Sequence, residues 1–402
     1  MADAPRRAPA MPRVAIMGGS LGGLTAALFL REIGCEVQVY ERSRSALEAR
    51  GAGIAVLEQT LRYPVEHLGV GPEAFCSTTD WIRFLAPDGS VRHEQRHRYR
   101  FTSWNALYRT LLGALPRDRY LLGREVAAFS MEGEEVALRF SDGAEARVDL
   151  LVCADGINST ARQQLLPEVK PRYAGYVAWR GTVPEAELTR GTYEVLHDAL
   201  TYQLLPNSHI LVYPIPGLDG SVQPGRRLVN VVWYRNVREE DELPALLTDR
   251  SGVRHEVSLP PGTVPERLVD ELRSFALAHL APSIAEAVTA VPEPFVQAVF
   301  DIEVPRMVVG RCCLIGDAAF AVRPHAAAGT AKAAEDAWVL SQELRAAAGC
   351  VPVALARWEG KQLPLGRALL ARTREIGDSS QFTGQFRPGD PRLIFGLYAP
   401  GH

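Results

Sequence analysis

The sequence predicts an α/β protein in which a Rossmann-like nucleotide-binding domain is interleaved with a mostly antiparallel β-sheet domain and followed by C-terminal helices. Three observations predict it. A glycine-rich turn, Gly18 to Gly23, separates a short apolar run from a helical pattern. The middle of the chain alternates apolar and polar residues in runs divided by turn clusters, as the strands of an antiparallel sheet do. Beyond residue 329 the composition turns alanine-rich and helical.

In chain order, residues 14–17 form a first strand, 24–33 a helix and 36–40 a second strand, which together make a βαβ unit. Alternation recurs at 176–183, 201–213 and 227–234, with turns at Pro206-Asn207-Ser208 and Pro216-Gly217. Helical composition covers 265–280. A strand at 312–315 runs into Gly316-Asp317, and helices follow at 329–348 and 353–376. Pro364 is expected to kink or split the last of these. The tail from Asp378 reads as irregular. The expected segments are a disordered leader (1–11), a nucleotide-binding domain from 12–75, 104–172 and 296–402, and a sheet domain from 76–103 and 173–295.

With 402 residues, 47% hydrophobic and 23% charged, the composition excludes a disordered, collagen-like or disulfide-scaffold protein. Forty-four basic against 47 acidic residues leave a net charge of -3, so no global field draws the chain to nucleic acid or anionic lipid. Small molecules are the expected partners. The six cysteines show no CxxC spacing, which suits reduced, buried thiols in a cytoplasmic protein and argues against a metal site. No run approaches the ~18 apolar residues of a membrane span.

Between strand and helix, the backbone N–H groups of Gly18, Ser20, Leu21 and Gly23 can hold a pyrophosphate at a helix N-terminus. Glu41, 23 positions after Gly18 and followed by Arg42, stands where a carboxylate accepts from ribose hydroxyls. Two later strands deliver carboxylates in the same manner: Asp155-Gly156, followed by Ser159 and Arg162, and Gly316-Asp317. Each pair alone reads as an ordinary turn. Three such motifs in this order instead indicate an extended dinucleotide.

These motifs, with Pro324 and Gly329 after the last, resemble the group A flavoprotein aromatic hydroxylases, the p-hydroxybenzoate hydroxylase family, across nearly the whole chain. Residues 173–181, 213–217 and 323–329 are similar to the members that hydroxylate hydroxypyridine rings. The resemblance implies FAD as cofactor, with the first motif on its ADP half, Asp155 on FAD and the nicotinamide coenzyme, and Asp317 on the ribityl chain. It also implies NADH or NADPH as a transient reductant, since only one dinucleotide turn occurs. Oxygen would then form a C4a-hydroperoxyflavin that hydroxylates an electron-rich ring, most closely a hydroxypyridine or pyridone, with a phenol or benzoate as the alternative. A flavin reductase or dehydrogenase, or a non-catalytic flavin-binding module, are readings of another class. The expected assembly is a homo-oligomer. Two positions depart from the family pattern: Phe320 stands where histidine is usual, and an arginine is absent near Trp104.

Pro324, Ala328 and Gly329 belong to a small-residue run in which the chain can pass close to a flat ring and a helix can point its positive end at it. Tyr202, Leu204 and Val212 alternate along the middle strands and are candidates for a pocket; for the two aliphatic residues a plain core is the favoured reading, and Tyr202, whose buried hydroxyl needs a partner, is the better candidate. His325 can accept a proton from a ring hydroxyl near pH 6.5, or simply close a helix entry; Tyr202 competes for the same contact. His209 reads as a solvated turn residue. Arg180 can support the cofactor or pair across the sheet.

Overall fold

The computed structural model describes residues 11–47 and 53–402. The expected leader lies outside the described residues except for Met11. The strand Arg13–Met17 is buried almost throughout and occupies the interior of a six-stranded sheet, parallel to Glu36–Glu41 on one side and to Leu150–Cys153 on the other. Cys312–Leu314 and Tyr120–Leu122 extend the parallel order, and Val308–Val309 closes one edge antiparallel. Helix Leu21–Glu32 packs against Gly329–Ala346 on one face, so the strands are covered and read as continuous apolar runs.

The second sheet has nine strands, in the order Ser258–Leu259, Phe295–Asp301, Arg172–Pro184, Leu228–Asn236, Ser208–Ile215, Ala199–Leu205, Ser77–Leu85, Val91–Ser103 and Gly53–Ala55. All neighbours are antiparallel except Ala199–Leu205 beside Ser77–Leu85. Asn207, at φ +52°, turns the central hairpin. Val177, Trp179, Val212, Val231 and Trp233 bury one face against helices Glu266–His279 and Pro282–Thr289. The opposite face looks toward the nucleotide-binding domain. Two strands cross the expected segment borders: Gly53–Ala55 and Phe295–Asp301 both join this sheet.

Pro364 neither splits nor ends its helix, which runs unbroken from Val351 to Gln381. The residue whose carbonyl meets the proline ring, four positions earlier, is Gly360, which has open space around it. A buried stripe from Ala354, Leu355 and Trp358 through Gly366, Leu369 and Leu370 to Ile376 holds the helix by packing, which outweighs one missing backbone bond.

Candidate active site

The turn after the first strand is shaped so that only glycine fits. Gly18 has φ +101°, and a Cβ there would lie 2.4 Å from the Ala154 carbonyl oxygen; at Gly23 it would lie 1.9 Å from the Gly18 oxygen. The buried Glu41 carboxylate accepts from Gly19 N–H at 2.9 Å and from Ser43 N–H at 2.8 Å. The Tyr120 hydroxyl donates to the Gly19 carbonyl at 2.9 Å. Glu41 therefore shapes the turn itself, a role that spacing alone does not reveal. Ser20 is the N-cap of Leu21–Glu32 without a side-chain cap bond, so the helix start keeps its N–H groups for a ligand. Arg42 is exposed at the next position along.

The two Asp-Gly motifs meet through Arg162, which is fully buried and donates to the Ala318 carbonyl at 3.1 Å and to the Ile157 carbonyl at 2.5 Å. Asp155 accepts from Ser159 Oγ at 2.6 Å and Ala161 N–H at 3.1 Å, capping the short helix Thr160–Leu165. Its contribution to a ligand site runs through that scaffold. Asp317 differs. Its carboxylate has no hydrogen-bond partner among the described residues and opens into a cavity, yet the surrounding protein pushes its pKa up to about 6, against the pull of Arg162. A solvent-accessible, unpartnered carboxylate at the same end of the parallel sheet as an uncapped dinucleotide turn fits the polyol chain and pyrophosphate of FAD.

The cavity, about 470 Å³, lies between the second sheet and the run from Pro324 to Thr330. Pro324, Ala328 and Gly329 line it, as does Ala327, whose φ of +54° turns the chain there. Helix Gly329–Ala346 begins at its edge with no side-chain cap. Leu211, Tyr213, Val232 and Tyr234 form the opposite wall. These are the residues that sequence reasoning missed. On Ser208–Ile215, Leu211 and Tyr213 face the cavity while Ile210 and Val212 face the helical core, and because both faces are apolar the alternation carried no sign of which was which.

Val212, expected in the pocket, is consequently corrected to the core beside Trp233. Tyr202 shares the cavity's side of the sheet but lies outside the lining, with its ring stacked 4.9 Å from Phe84; Leu204 is further along the same strand, half-buried. Arg180 pairs across the sheet, bonding the Gly53 carbonyl at 2.9 Å and Gln297 Oε1 at 3.1 Å, and it also lines the cavity.

His325 is also corrected. Within the short turn Pro324–Ala326, Pro324 faces the cavity while the imidazole points the other way, with Nε2 2.7 Å from the Tyr176 hydroxyl. Burial, then His209 and Arg323, hold its pKa well below 6.5. His209 is 2% exposed, not solvated: its strand register aims it at the end of the long helix, where it bonds Ser380 and Gln381, and burial lowers it to about 3. Both imidazoles are neutral in the folded protein and charge on unfolding, so the stability they contribute is present above pH ~6.5 and lost as pH falls below it. Asp317, with its raised pKa, works in the opposite direction below pH 6 in the flavin-free protein. We expect the melting temperature to fall between pH 6.5 and 5, at about 1.4 kcal/mol per pH unit for each buried histidine. A His209→Gln variant should show a shallower slope; an unchanged slope would place the titration elsewhere.

No described helix is long and apolar enough to cross a membrane. A family model described as FAD binding domain-like matches residues 173–301, a span that covers most of the second sheet. The chain is 37% identical to 2,6-dihydroxypyridine 3-monooxygenase of Paenarthrobacter nicotinovorans over 97% of this chain and 96% of that protein. It is 29% identical to a salicylate hydroxylase of Pseudomonas putida, over 98% and 91%. The solved structure of 2,6-dihydroxypyridine-3-hydroxylase from Arthrobacter nicotinovorans superposes with a TM-score of 0.92 at 35% identity, covering 98% of each chain. With the uncapped dinucleotide turn, the open Asp317 carboxylate and a cavity between Asp317 and the second sheet, the chain belongs to the FAD-dependent aromatic-ring monooxygenases.

Proposed function

We propose that this enzyme hydroxylates a hydroxypyridine or pyridone ring, with NADH or NADPH and O2 as co-substrates. The observation that carries the reading is the cavity wall. Its sheet side is aromatic and aliphatic, and both terminal nitrogens of Arg180, the one cation among the lining residues, are bonded to the neutral oxygens of Gly53 and Gln297, leaving its buried Nε without a partner among the described residues. A neutral, hydroxylated heteroaromatic ring suits such a slot, whereas the carboxylate of a benzoate would meet a guanidinium whose two terminal nitrogens are already bonded within the protein. The likeness to 2,6-dihydroxypyridine 3-monooxygenase points the same way.

In this reading the pyrophosphate lies on the N–H groups of Gly18, Ser20, Leu21 and Gly23, with Glu41 and Arg42 beside the adenosine. Asp155 acts through Arg162, and Asp317 accepts from the ribityl hydroxyls. FAD, once bound, carries electrons from the nicotinamide to dioxygen, so that one oxygen atom enters the ring and the other leaves as water. The remaining work belongs to the chain. Leu211, Val232 and Phe395 keep water from the ring, and Pro324 to Gly329 let it approach closely. The start of helix Gly329–Ala346 turns its positive end toward the cavity, where it favours an anionic reduced ring. The Tyr234 hydroxyl, without a protein partner among the described residues, is free to bond a ring oxygen. The reading also makes the enzyme a cytosolic homo-oligomer; five buried free thiols suit a reducing compartment, and light scattering tests the assembly.

Reductant consumption, oxygen uptake and labelled-oxygen incorporation test the proposal together. 2,6-Dihydroxypyridine should accelerate NAD(P)H oxidation at least ~10-fold more than 4-hydroxybenzoate or salicylate, with label in the product. An equal or stronger response to the benzoates overturns the substrate class. Turnover without oxygen would identify a dehydrogenase, and no turnover with any reductant a binding module.

A further inference from the structure

The tail beyond the long helix is folded against the cavity, and one of its side chains enters the lining. Phe395 is buried, and its backbone N–H donates to the Tyr99 hydroxyl at 3.0 Å while its carbonyl accepts from Gly401 N–H at 3.0 Å. Its ring lies 4.6 Å from that of Tyr99. Tyr99 in turn lies 6.0 Å from Phe101, which stacks 4.2 Å from Tyr213. This aromatic row runs from the tail to the sheet wall.

The next residues lock the position. Gly396 donates to the Ala326 carbonyl at 3.2 Å and accepts from Arg372, and a Cβ at this glycine would lie 2.0 Å from the Ala399 oxygen. Leu397 is buried among Ala326, Ala328 and Leu369, and the Tyr398 hydroxyl donates to Glu335 at 2.6 Å. The tail thus grips the same small-residue run that faces the cavity. Phe395 is set between that run and the sheet, and it is the one tail residue in the lining.

We propose that Phe395 is the specificity-determining residue for ring size, closing the cavity so that a single six-membered ring is accepted and a fused bicyclic ring is excluded. The proposal rests on the aromatic-ring reading of the site. The backbone bonds fix the position of its Cα, and the phenyl ring, buried and packed on Tyr99, swings aside only by displacing packed neighbours, so the limit it sets is steric. Removing the ring frees a space the size of the second ring of a quinoline.

The test uses FAD-loaded enzyme with 2,6-dihydroxypyridine and 2,4-dihydroxyquinoline, measuring binding by perturbation of flavin absorbance and turnover by NAD(P)H and oxygen consumption. Wild type should bind the monocycle and reject the bicycle. In Phe395→Ala the ratio of bicycle to monocycle, in both Kd and kcat/KM, should rise by about 10-fold or more, with an intermediate rise in Phe395→Leu, which preserves more packing if the alanine variant folds poorly. The monocycle should become less well coupled in Phe395→Ala, releasing more hydrogen peroxide. A ratio unchanged in both variants overturns the proposal, as does wild-type enzyme that binds both rings alike. Failure of the hydroxypyridine reading would appear separately: the monocycle would bind without speeding flavin reduction, while the binding ratio would still report on Phe395.

Discussion

Replacing Asp317 by alanine should give a folded protein that purifies colourless. The carboxylate projects into the cavity from the turn after the strand Cys312–Leu314, with no protein partner to satisfy it and a pKa raised to about 6 by the desolvating protein around it. Two charge-assisted bonds to sugar-alcohol hydroxyls, at about 1.5–3 kcal/mol each, correspond to a loss of ~100-fold or more in FAD affinity when they are removed. The flavin-free variant should melt no lower than flavin-free wild type at pH 7, because the exposed carboxylate it removes makes no hydrogen bond within the protein. Flavin released on denaturation, fluorescence titration with FAD and the two melting curves measure these quantities. A variant that retains one flavin per chain would remove Asp317 from the cofactor site. The raised pKa adds a pH dependence in wild type: the ionised carboxylate is the better acceptor, so FAD affinity should decline as pH falls below about 6.

Asp301→Ala should produce the largest loss of stability. Asp301 ends a strand of the second sheet and accepts from Arg323 Nε and Nη2, both at 3.0 Å, and from Arg374 Nε at 3.0 Å. Arg323 immediately precedes Pro324, and Arg374 belongs to the long helix, so one buried carboxylate joins the sheet, the cavity-lining run and the helix. Truncating it leaves the buried Arg323 guanidinium with only the half-exposed Asp378 as counter-charge. Removing one partner of a buried pair typically costs about 3–5 kcal/mol, or roughly 4–6 °C in melting temperature for a chain of 402 residues. Calorimetry of the flavin-loaded protein measures it, and Asp301→Asn, which keeps the shape and part of the hydrogen bonding, should lose less. A shift below ~2 °C in Asp301→Ala would show that the three elements hold together without this carboxylate.

The first βαβ unit was legible because its signals are local. Gly18 and Gly23 are required by backbone clashes within the turn and with the adjoining strand, and strand and helix periods flank them closely. Asp317 was legible for the same reason, as a carboxylate placed directly after a strand. The candidate pocket was not. Val212 and Leu211 are neighbours on a strand apolar on both faces, and choosing between them requires knowing that helices Glu266–His279 and Pro282–Thr289 cover one face. Pro364 misled in the opposite direction: its local penalty is real, but it is outweighed by the burial of the helix's own apolar stripe against distant parts of the chain.

The sequence by itself determined the class of ligand. The dinucleotide turn, the carboxylate at the end of the second strand and the Gly-Asp turn each depend on a few contiguous residues whose chemistry does not wait for the fold. Tertiary structure decided which side chains meet the ring. His325 and Pro324 are adjacent in sequence, yet one is sealed against Tyr176 and the other lines the cavity, because the turn that carries them is wedged between sheet and helix. Phe395 reaches the site from the far end of the chain through Tyr99, almost three hundred positions away. Contacts of such separation leave no periodic trace in the sequence, since the register of the sheet and the path of the tail are set by the packing of the whole molecule.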